Sequence, residues 1–72
     1  MSLYERVVQT SKPYLGPATE KFIARQCLLL RVNALALANE NLAALAKWVE
    51  VGAKMVMDEG KAQELASKVK AL

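Results

Sequence analysis

Between Asn39 and Asp58 the apolar residues recur at helical spacing, but on two sides of the helix rather than one. At about 100° per residue, Leu42, Leu45, Val49, Ala53 and Val56 share one arc. Ala44, Trp48, Val51 and Met55 share a second, and Gly52 joins the two. Ala43, Lys47, Glu50 and Lys54 are left as a thin strip for water. A helix at the edge of a small monomer needs a single apolar stripe, whereas one that is apolar most of the way round is normally covered on several sides. A chain of 72 residues has few other elements to do that covering. Either this helix is central to the fold, or something outside the chain completes it.

Size sharpens the choice. A chain this short buries only about 60% of its unfolded surface, so disulfides, metals or association usually supplement its core. The single cysteine, Cys27, cannot form an internal disulfide, and with no histidine and no second thiol a structural zinc site lacks ligands. No metal or cofactor is therefore expected. Association remains, and a hydrophobic content of 54% agrees with it.

The remaining segments also read as helices. Leu3, Tyr4, Val7 and Val8 fall on one face, with Ser2 and Glu5 placed to form a capping box. Pro13 is expected to end this helix, because the residue before a proline is pushed out of helical geometry, and Pro13 to Pro17 to form a corner that folds Tyr14 and Leu15 onto the core. Pro17 suits the first turn of a second helix with Phe22, Ile23, Cys27, Leu29 and Leu30 on its core arc. Leu28 and Val32 lie outside that arc, among Lys21, Arg25 and Arg31.

Asparagines at 33, 39 and 41 punctuate the next stretch. They favour caps and turns, so an irregular link that buries Leu35 or Leu37 is expected there, with an N-cap at Asn39 or Asn41. One continuous helix from Pro17 to Met57 is the competing reading. Asp58 can cap a last helix with Ala62, Leu65, Ala66, Val69 and Leu72 as its stripe, although Gly60 weakens the first turn. Nothing alternates at period two for long enough to be a strand. The expectation is all-α: one domain, residues 1–72, a small four-helix bundle-like fold with helices over about 2–12, 17–33, 40–57 and 59–71, the third central.

Few residues carry chemistry. Without histidine the usual proton shuttle is missing. Cys27 falls on a core arc, where a cysteine behaves as a small hydrophobe. The carboxylates are scattered and have cap or ion-pair roles: Lys47 with Glu50, Glu50 with Lys54, and Glu64 with Lys68 at helical spacing. Gly16, Gly52 and Gly60 are too far apart for a phosphate loop. An enzyme is not expected. No apolar run approaches the roughly 20 residues that span a bilayer, and the start lacks the pattern of a secretion signal. With its lone thiol the chain reads as cytoplasmic.

Two functions are left. Association through protein contact is favoured, as a homodimer or by docking on a larger protein. Its candidate residues are Leu28, Val32, Ala44, Trp48, Val51, Gly52 and Met55, since tryptophan and methionine are enriched at interface cores. The opposing reading makes Trp48 and Met55 ordinary core of a compact fold. The alternative function is a small basic helical nucleic-acid-binding protein using Lys21, Arg25 and Arg31, which the net charge of +3 allows. A membrane-surface role fits less well, because interfacial helices carry a wide charged face and this one has a thin strip.

Overall fold

A computed structural model describes all 72 residues. The chain is all-helical, with α1 over Leu3–Leu15, α2 over Thr19–Leu29, α3 over Leu42–Ala53 and α4 over Glu59–Lys70. Single 3-10 turns lie at Gly16–Ala18, Ala34–Ala36 and Asn39–Asn41. The most extensive pairing is α3 with α4; α1 packs on α2 and α4, and α2 packs on α3. The radius of gyration, 10.6 Å, is that of a folded chain of this length, about 11 Å.

Local chemistry sets most element boundaries. At the start of α1 the Ser2 hydroxyl accepts from the Glu5 amide and the Glu5 carboxylate accepts from the Ser2 amide, each at 3.1 Å, so the capping box is formed. At the start of α4 the Asp58 carboxylate accepts from the Lys61 amide at 2.9 Å. Between α2 and α3, Asn33 Oδ1 accepts from the Leu35 amide at 2.9 Å and sets the first 3-10 turn. Asn41 was a candidate N-cap for α3, but its side chain reaches back to accept from the Ala38 amide at 2.9 Å. The link is therefore irregular rather than helical, and it buries Leu37 while leaving Leu35 exposed.

Three expectations are corrected. First, α1 does not stop at Pro13 but runs on to Leu15. Pro13 and Gln9 are both exposed, so the ring sits on the open side of the helix, where the one backbone bond that the proline cannot make is lost beside water. The corner begins instead at Gly16, whose φ of 61° suits glycine and whose amide donates to the Lys12 carbonyl.

Second, α2 ends at Leu29, four residues before the expected stop. The Arg31 amide donates to the Leu28 carbonyl at 2.9 Å and the Val32 amide to the Cys27 carbonyl at 3.0 Å. Arg31 itself is left-handed at φ 59°. This is a Schellman end, with the apolar residue after the left-handed position turned back on the core. Third, α3 ends at Ala53, and single turns carry the chain from Lys54 to Met57.

The four-helix bundle built around a central third helix is not matched. The helical segments are short and joined by 3-10 turns, and α3 has α2 and α4 as its packing partners rather than a ring of neighbours. The core holds Val7, Ile23, Cys27, Leu37, Leu42, Leu45, Ala46, Val49, Ala53, Ala62, Leu65, Ala66 and Val69. Leu29 and Val56, both expected inside, are exposed. Val56 leaves its arc because the helix has already ended; Leu29 sits in the last turn of α2.

Candidate interaction surface

The two arcs of α3 have different fates. Leu42, Leu45, Val49 and Ala53 are buried, and Ala46 beside them. The second arc is only partly covered within the chain: Trp48 is 41% exposed, Val51 52% and Met55 85%. Ala44, one turn before Trp48, is exposed as well. Ala44, Trp48 and Val51, at i, i+4 and i+7, share the outer side of α3, and Met55 lies exposed in the turn just past its end.

Gly52 sits at the seam between the arcs and serves the inside of the molecule. A Cβ at this position would lie 3.0 Å from Phe22 Cζ, 3.2 Å from Phe22 Cε2 and 3.3 Å from Gln26 Nε2. The missing side chain thus lets the Phe22 ring of α2 rest on the backbone of α3. Gly52 was a candidate for contact between molecules; its close approach is a contact between two helices of one chain.

Leu28 and Val32 are not brought together. Leu28 is 74% exposed near the end of α2, while Val32 lies half-buried against the core as the apolar residue of the Schellman end. One-turn spacing would have joined them only if the helix had continued. The shallow depression on the outer side of α3 is lined by Lys47, Trp48 and Val51, all from that helix, and Leu28 does not border it. Lys47 is the residue that sequence reasoning passed over here. Its position beside Trp48 was legible, but it read as part of the solvated strip.

Charges around the stripe differ from the expected pairs. Glu50 Oε2 lies 3.4 Å from Lys54 Nζ, but Lys47 makes no ion pair. The Trp48 indole makes no hydrogen bond within the chain. On α4, Glu64 pairs with Lys61 at 3.8 Å rather than with Lys68. Lys68 instead stands 5.2 Å from the centre of the Tyr14 ring, and the neighbouring Tyr14 side chain raises its pKa. Lys21, Arg25 and Arg31 are all exposed and unpaired. Arg31 lies in the left-handed turn beyond α2, so the three do not share a helix face.

Elsewhere the reactive groups are occupied locally. Cys27 is 1% exposed, and burial pushes its thiol pKa up, which keeps it protonated and slow to react. The Glu5 carboxyl is held below its ordinary range by the hydrogen bonds it makes with Ser2. No three carboxylates or thiols gather where an ion could sit, and no helix is long and apolar enough to cross a membrane. Comparison with protein-family models, with curated proteins and with solved structures finds no match to this chain.

Proposed function

We propose that the chain is a non-enzymatic interaction module that binds another polypeptide through the outer face of α3. The observation that carries this reading is the exposure of Trp48 and Val51 on one side of a helix whose opposite side is core, with Met55 exposed in the turn that follows. Apolar residues scattered singly over a surface need no explanation, but a tryptophan exposed beside a valine, the two lining one depression, is the pattern of a binding face. Leu28, exposed on α2, lies outside that depression and is left out of the proposed face. The buried unpaired thiol suits a reducing compartment, and the cytoplasm is the proposed setting.

The nucleic-acid reading has less support. Phosphate binding draws on clustered cations, and Lys21, Arg25 and Arg31 are divided between a helix and the turn after it.

A photoreactive residue in place of Val51 tests the proposal. Crosslinking in cells to one polypeptide of defined mass, lost when Met55→Glu is added, is the expected result. A chain that yields no crosslinked species at this position does not use this face, and the proposal fails.

A further inference from the structure

We infer that Gln26, recessed where α2 meets α3, is a recognition residue of the interaction face, and that its carboxamide receives an asparagine or glutamine side chain of the partner protein; the inference rests on the interaction role proposed above. The fold buries three polar side chains, Ser11, Thr19 and Gln26. Ser11 donates to the Val7 carbonyl at 2.8 Å, and Thr19 to the Gly16 carbonyl at 2.6 Å. Gln26 is only 4% exposed, yet its side chain makes no hydrogen bond within the chain. Its nitrogen and oxygen each keep a narrow contact with solvent. A carboxamide so nearly covered normally has a protein partner, and leaving it without one is costly. Exceptions of this kind gather at functional sites.

Position ties this amide to the face. Gln26 Nε2 lies 3.3 Å from where a Cβ on Gly52 would stand. Trp48 is one turn before Gly52 along α3, and Leu29 one turn beyond Gln26 along α2. These two apolar side chains are 41% and 47% exposed, so the amide lies beneath an edge that both border. Its chemistry then selects the ligand. A carboxamide presents two N–H donors and an acceptor. A carboxylate only accepts and an ammonium only donates, so either leaves half of the group unpaired and brings a charge into a largely desolvated position. A second amide meets both halves at once. A main-chain amide is flanked by its own side chains, whereas the slim end of an asparagine or glutamine can reach a recessed group.

A second copy of this chain is poorly equipped to supply that amide. Asn33, Asn41 and Gln63 use theirs locally, and Gln26 of the copy is equally recessed. Gln9 and Asn39 are exposed, but no exposed large apolar residue lies within three positions of either to meet Trp48 and Leu29.

The test starts from the polypeptide captured through residue 51, its contacting segment located by mass spectrometry. Gln26→Met is of similar size and has nothing to pair. It is expected to raise the urea midpoint of the free chain while lowering the crosslink yield about tenfold, because the partner's amide is left stranded. Leucine in place of the partner's asparagine or glutamine should lower the yield likewise, and the two changes together should cost little more than either alone. The partner-side change leaves this chain intact, so the test stands even where Gln26→Met does not fold. An undiminished crosslink in folded Gln26→Met overturns the inference and leaves water as the companion of the amide. Additive losses, or a segment in which no asparagine or glutamine matters, overturn it as well. A contacting segment that belongs to this chain does so with a second copy as occupant. All of these results leave the interaction role standing; the absence of any crosslink at residue 51 removes both.

Discussion

At the scale of single residues, backbone geometry decides more than side-chain chemistry. Gly52 is the clearest case. Alanine in place of a helical glycine ordinarily gains about 0.5–1 kcal/mol, yet here the new methyl meets Phe22 and Gln26 at 3.0–3.3 Å. Two side chains of α2 must yield at once, and overpacking of this kind costs about 1–3 kcal/mol. Gly52→Ala is therefore expected to lose about 1 kcal/mol net, read from the urea midpoint. Arg31 runs the other way. It holds a left-handed φ of 59° with a Cβ, a strain of about 1–2 kcal/mol that glycine relieves while adding freedom to the unfolded chain. Arg31→Gly should stabilise by about 0.5–1 kcal/mol. Glu5 supplies a pH dependence. Its folded pKa lies below the ordinary value of 4.5, so its contribution is present above that pH and lost as pH falls through the folded pKa. Thermal unfolding of the parent and of Glu5→Gln should accordingly differ near neutrality and converge in acid.

At the scale of elements, the sequence signalled some boundaries and hid others. Both N-caps were legible because Ser2 with Glu5, and Asp58 before an amphipathic run, are short local patterns whose hydrogen bonds need no tertiary help. The stripe of α4 was legible for the same reason of period, and Ala62, Leu65, Ala66 and Val69 are all buried. The end of α2 was hidden, since a Schellman turn is announced by glycine at the left-handed position and this one uses arginine. The persistence of α1 through Pro13 was hidden too, because it depends on which side of the helix the ring falls. As for the candidate face, the spacing of Trp48, Val51 and Met55 could be read from the chain, but whether they were core or surface could not. That depended on how many neighbours α3 has, which follows from the packing of all the elements together.

At the scale of the whole molecule, α3 has one side that holds the fold together and one that does not. Native stability of about 0.05–0.15 kcal/mol per residue leaves a chain of this length with roughly 4–11 kcal/mol. Leu45→Ala, at a fully buried position, removes about 2–5 kcal/mol of that and should leave the chain largely or partly unfolded at 37 °C by circular dichroism. Met55→Glu, ten residues on and exposed, should shift stability by no more than about 0.5 kcal/mol while abolishing the Val51 crosslink. The sealed thiol of Cys27 adds one consequence. Walled in among Ile23 and its neighbours, it can meet an alkylating reagent only while the interior is transiently apart. The rate of its labelling in native buffer then counts those openings, a clock that ticks faster for a weakened interior and keeps its pace when only the outer stripe is altered.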